Sequence, residues 1–135
     1  MREVDVSQFV LAHPRAVRRV LSPEAVVAAE GTFTIDAVEE TDGGTVVTAV
    51  GPRMSVPLRF ESTDDGLRYA AEGDVGPFEH LETHVTVADE SNGSRLTMRS
   101  TVALNLPLPF ADRIAAWKRR GELKRAIDEL TESVG

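Results

Sequence analysis

Cysteine is absent from the 135 residues, which excludes disulfides and thiolate chemistry and fits a reducing compartment. Lysine is nearly absent too. Of the 15 basic residues, only Lys118 and Lys124 are not arginine. Aromatics are sparse, with one tryptophan (Trp117) and one tyrosine (Tyr69). No run reaches the ~18 apolar residues of a membrane-spanning helix. The charged start, Met1-Arg2-Glu3-Val4-Asp5, lacks the apolar stretch of a signal peptide. A soluble cytoplasmic protein with no transmembrane segment is expected.

What is present is acid. The formal net charge of −7 argues against nucleic acid as a partner, because phosphate contacts need a basic surface. Acid excess with scarce lysine suits a salt-loving organism, such as a halophilic archaeon, and equally an arginine-biased, GC-rich genome. It speaks to solubility and not to fold. The length fits one domain, residues 1–135. A chain of this size buries roughly two-thirds of its unfolded surface without staples.

The pattern along the chain changes period several times. Residues 3–11 are rich in β-branched and aromatic types and read as a strand. Pro14 suits a first helical turn, and Val17, Val20 and Leu21 predict a short helix over 14–21. Ser22-Pro23-Glu24 is a cap signal for a second short helix over 23–29. From Gly31 the period is two. Phe33, Ile35 and Ala37 alternate with polar residues, and Asp42-Gly43-Gly44 is a hairpin turn. Met54, Val56, Leu58 and Phe60 predict a strand with one dry face, placed at an edge or bulged at Pro57. Gly73 to Pro77 reads as a loop. Rows through Leu67, Tyr69 and Ala71, through Leu81, Thr83, Val85 and Val87, and through Leu96, Met98, Ser100 and Val102 complete seven strands.

Six of the strands follow one another through short turns, as in an antiparallel meander. Residues 110–133 then read as one helix, roughly 36 Å long at about 1.5 Å per residue. Its apolar stripe is assigned to Phe110, Ile114, Trp117, Gly121, Ile127, Leu130 and Val134. That phase turns the Lys118-Arg119-Arg120 cluster outward. Gly121 would mark a close approach to the sheet or a bend.

Two stretches resemble a known family. Phe9-Val10-Leu11-Ala12-His13-Pro14-Arg15-Ala16-Val17 is similar to the strand-to-helix opening of the START-like superfamily, also called SRPBCC. Asn92-Gly93-Ser94-Arg95-Leu96-Thr97 resembles its turn before the last strand. The order of elements resembles the same family over the whole chain. The resemblance implies an α+β helix-grip fold: a curved seven-stranded antiparallel sheet, two short helices after the first strand, and a long C-terminal helix packed across it. It also implies a cavity between sheet and last helix that holds an apolar molecule, with polyketide cyclases among the relatives. Arg18 stands where the family often has an aromatic residue, which suits a narrower cavity.

The inward rows supply the candidate pocket: Phe33, Ile35, Met54, Val56, Leu58 and Phe60, then Tyr69, Thr83, Met98 and Ser100, with Ile114 and Trp117 from the helix. An apolar lining with a few hydroxyls is the make-up of a small-molecule site, and equally of a filled core. His80-x-Glu82-x-His84 invites a metal, but His80 and His84 stand ~13 Å apart along a strand, too far to share one ion. These residues read instead as a solvated cross-strand charge cluster near Arg95 and Arg99. His13 reads as a turn residue. No Gly-x-Ser-x-Gly elbow, phosphate loop or dinucleotide fingerprint is present, so neither a cofactor nor a metal is expected.

The leading expectation is binding of a small hydrophobic molecule: a lipid, an isoprenoid or an aromatic. A cyclase or dehydratase using Tyr69 as proton donor is the alternative. No paired acid and base stands beside it. A ligand-free interaction module acting through Lys118, Arg119 and Arg125 is the third.

Overall fold

A computed structural model describes residues 1–52, 54–72, 78–104 and 106–134. The loop expected over Gly73 to Pro77 lies outside them, as does Arg53. The elements are β1 (Arg2–Val10), α1 (Pro14–Arg19), α2 (Pro23–Glu30), β2 (Thr34–Thr41), β3 (Gly44–Gly51), β4 (Met54–Thr63), β5 (Gly66–Ala71), β6 (Phe78–Glu90), β7 (Gly93–Leu104) and α3 (Ala111–Val134). The seven strands form one antiparallel sheet in the order β1-β7-β6-β5-β4-β3-β2. β1 and β2 are thus opposite edges, and α1 and α2 carry the chain between them. This is the helix-grip arrangement.

Local chemistry sets the boundaries. His13 caps α1, its Nδ1 accepting from the Arg15 amide at 3.1 Å, and Pro14 takes the first turn. Ser22 caps α2 through its Oγ, and Gly31 ends it in the left-handed region at φ +77°. The two family-like stretches meet each other. A Cβ on Gly93 would lie 2.4 Å from the Val10 carbonyl oxygen, so glycine there lets β1 lie beside β7. Ser94 Oγ then donates to the Ala12 carbonyl at 2.7 Å and holds the bend into α1.

Three expectations about individual residues change. Pro57 is neither at an edge nor in a bulge, because β4 lies between β3 and β5. Its carbonyl accepts from the Glu72 amide at 2.9 Å. Its nitrogen faces the same strand, so the one bond missing is the reciprocal bond to Glu72, at the end of the β4–β5 pairing. In β2, a register shift between Ile35 and Ala37 breaks the alternation and leaves Ala37 exposed. The third change concerns α3, which packs on β1, β7 and α2.

The buried residues of α3 include Ala116, Arg119, Leu123, Ala126, Ile127 and Leu130. Ile127 and Leu130 keep their assigned places. Phe110, Ile114 and Trp117 are exposed, Trp117 by 78%. The N-terminal half of the helix is therefore turned away from the expected phase, because its sheet-facing positions are alanines while its largest apolar residues face outward. Gly121 has nothing within 4 Å of its Cβ position, so it marks no close approach.

Candidate functional site

One row of side chains crosses five strands in register: Phe60 on β4, Tyr69 on β5, Thr83 on β6, Ser100 on β7 and Val4 on β1. Alternation places all five on the face that α3 covers. Arg119 reaches from α3 onto the middle three. Its Nε donates to Ser100 Oγ at 3.0 Å and its Nη2 to Thr83 Oγ1 at 2.7 Å and to the Tyr69 hydroxyl. Its Nη1 donates to Glu30 at 2.6 Å and to Glu122 at 3.3 Å. A guanidinium has five N–H donors, and all five are used.

Glu30 closes the network from the last position of α2. Tyr69 donates its hydroxyl proton to Glu30 Oε2. Thr83 and Ser100 bond each other at 3.0 Å. No buried side-chain polar atom among the described residues lacks a partner. Burial is the largest influence and opposes the charge on Arg119, but the acidic groups around it, Glu30 foremost, together outweigh it and hold the guanidinium well above its ordinary pKa. Burial likewise pushes Tyr69 well above the usual phenol value, against the pull of Arg119. At neutral pH the network is a buried ion pair with a neutral phenol.

Beside the network lies a cavity of about 460 Å³ between α2, the N-terminal half of α3 and strands β4 to β7. This lies within the ~300–1,000 Å³ of small-molecule pockets. Phe33, Met54, Val56, Leu58, Tyr69 and Ile114 line it. Thr32, Lys118 and Glu122 join Glu30 and Arg119 at its polar part, where Thr32 Oγ1 donates to Glu122. The other candidate residues lie elsewhere. Phe60 and Met98 are buried in the core, and Ile35 packs against that core. Thr83 and Ser100 lie beneath Arg119 and orient it. Trp117 stands outside on the helix surface.

The sequence alone puts Arg119 on the outer face and gives Glu30 no role, although each leaves a trace in the chain. An acidic residue at a helix C-terminus opposes the macrodipole and calls for a cation. Here Arg119 supplies it, and Arg125 Nη1 caps the Glu30 carbonyl at 2.9 Å. The apolar phase Ala116, Leu123, Ile127, Leu130 has one vacant position at the helix spacing, and Arg119 fills it. On the opposite face of the sheet, Glu82 meets Arg68 at 2.8 Å, His84 at 3.0 Å and His80 at 3.8 Å. This is a charge cluster, and no metal-holding group occurs among the described residues.

No family model matches the chain, and no curated protein matches it in sequence. Solved structures do match. Protein TTHA0849 from Thermus thermophilus aligns with a TM-score of 0.77 at 17% identity, over 98% of this chain and 97% of that one. A START superfamily protein from Mycobacterium smegmatis aligns at 0.74 with 14% identity, over 98% and 96%. The Zhui aromatase/cyclase from Streptomyces sp. R1128 aligns at 0.73 with 14% identity, over 99% and 96%. At these identities the likeness is one of fold.

Proposed function

We propose that the chain, as a single domain of residues 1–135, binds a small hydrophobic molecule of the lipid, isoprenoid or aromatic kind in the cavity beside α3. Phe33, Met54, Val56, Leu58 and Ile114 would surround its apolar body, with Tyr69 near its polar end. The observation that carries this reading is the cavity itself: about 460 Å³, with a mainly apolar lining and one polar end. The START-like and cyclase neighbours support it by analogy of fold only.

The polar end narrows the class. Every donor of Arg119 is spent within the protein, while Glu30 and Glu122 keep spare acceptor lone pairs. A hydroxyl or amine would be received there, and a carboxylate would meet two carboxylates with the exposed Lys118 ammonium to offset them only in part. The test is displacement of the neutral probe N-phenyl-1-naphthylamine by dodecanol, dodecylamine and dodecanoate. Probe binding with displacement by the alcohol and the amine, and little by the acid, is expected. No binding of probe or competitor would sink the cavity reading. Equal displacement by the acid would sink only the head-group assignment.

The cyclase or dehydratase reading ranks second, supported by analogy with the aromatase/cyclase. Tyr69 as its proton donor gains no support, since the hydroxyl already serves Glu30 and its pKa is raised. Among the described residues, no helix is long and apolar enough to cross a membrane. A cytoplasmic location and a salt-adapted archaeal source remain part of the proposal. Salt adaptation is checked by whether the folded state gains stability in molar potassium chloride.

A further inference from the structure

The outward face of α3, with the segment that leads into it, carries a pattern that the cavity uses only in part. Leu106, Leu108, Phe110, Ile114 and Trp117 are all exposed, and Trp117 is the only tryptophan in the chain. Contiguous exposed apolar groups of this size mark an interaction surface. Charge is distributed with equal bias. From Arg113 to Arg125 the exposed charged residues are Arg113, Lys118, Arg120, Lys124 and Arg125, all basic. The two acids nearby are engaged. Asp112 binds the N-terminal ammonium and the Leu104 amide, and Glu122 turns inward to Arg119 and Thr32. Exposed acid on the helix resumes only at Asp128 and Glu129.

Between these side chains lies a shallow depression of about 430 Å³, lined by Trp117, Gly121, four of the basic residues, Lys118, Arg120, Lys124 and Arg125, and by Thr32 and Glu122, which bond each other. In a chain of net charge −7, both lysines and three arginines gather around one apolar patch. A second copy is a poor occupant, because pairing two such faces would bring like charges together. An apolar group that enters while cations stay at the rim is the pattern of a helix lying on an anionic bilayer. The depression suits a phosphate headgroup, and Trp117 suits the interface.

We propose that this face, from Leu106 to Arg125, docks on the surface of an anionic phospholipid bilayer. Leu106 and Ile114 belong both to this face and to the cavity lining, so docking places the cavity against the lipid. The inference stands on the outer face and does not depend on what the cavity holds.

The test uses Trp117 fluorescence with vesicles of phosphatidylglycerol and phosphatidylcholine, and with phosphatidylcholine alone. Anionic vesicles should shift the emission to the blue, brominated acyl chains should quench it, and high salt should reverse both. The double variant Lys118→Glu/Arg120→Glu should lower vesicle partitioning by at least about tenfold. The matched variant Arg18→Glu/Arg19→Glu makes the same change in net charge on exposed α1 positions and should leave partitioning near wild type. No blue shift with anionic vesicles, an equal shift with neutral ones, or equal loss in both variants would overturn the proposal. So would sedimentation showing a dimer that buries Trp117.

Discussion

Removing Arg119 should cost far more stability than removing Lys118 or Arg120, although the three form one run of basic side chains. The Arg119 side chain is 6% exposed and that of Glu30 is 8% exposed. Arg119→Met keeps the aliphatic stem and deletes the guanidinium. It strands the Glu30 carboxylate without its cation and takes a partner from Tyr69, Thr83, Ser100 and Glu122. Breaking one side of a buried pair costs about 3–5 kcal/mol. The loss should sit at the low end of that range, because Thr83 and Ser100 still bond each other and Tyr69 still bonds Glu30.

The double variant Arg119→Met/Glu30→Gln removes both charges and should recover part of the loss, leaving a coupling energy of about 1–3 kcal/mol. Lys118→Met and Arg120→Met change exposed side chains and should fall within about 0.5 kcal/mol of wild type. Urea unfolding of these proteins and of Glu30→Gln, six in all with wild type, compared by midpoint at constant slope, is the assay. A cost for Arg119→Met no larger than for its neighbours would mean that the guanidinium is solvated, and would refute the phase of α3 given above.

Three further outcomes follow from the same structure. Tyr69, the only tyrosine, has a pKa raised above its ordinary 10.0. Its contribution is therefore complete below that value and is lost as pH rises through the folded pKa. Phenolate absorbance should appear together with alkaline unfolding, and a separate earlier step would contradict burial. Glu82 is held below its ordinary 4.5, first by its hydrogen bond from Arg68. Its stabilisation is present above the ordinary value and fades as pH falls through the lowered one. Arg68→Gln should cost about 0.2–1 kcal/mol at pH 7 and show no deficit in acid; a deficit that persists in acid would break the link. Gly93→Ala should destabilise, because its Cβ would meet the Val10 carbonyl oxygen, and β1 amides should lose protection from hydrogen exchange. Unchanged protection would count against that contact.

The sheet could be read from the chain because its signals are local. Period-two alternation, Asp-Gly and Asn-Gly turns and the Ser22-Pro23 cap each act within a few residues. The helix phase could not be read the same way. Apolar size pointed to Trp117 and Ile114, whereas the sheet is met by Ala116, Arg119 and Leu123. A buried arginine becomes legible only once its partners are known, and they are distant in sequence. Glu30 lies 89 residues away and Tyr69 lies 50 away. Thr83 and Ser100 do point inward, but their partner is the protein's own guanidinium. The outward face of α3 shows the same problem reversed, since its tryptophan resembles a core residue in sequence.

The central claim, that the space beside α3 receives an apolar molecule, is tested most directly by native mass spectrometry with dodecanol. Wild-type protein should carry one bound alcohol. Val56→Trp, which places an indole among the lining residues, should remain folded and carry none. Absence of the adduct in wild type, or its survival in Val56→Trp, would contradict the account.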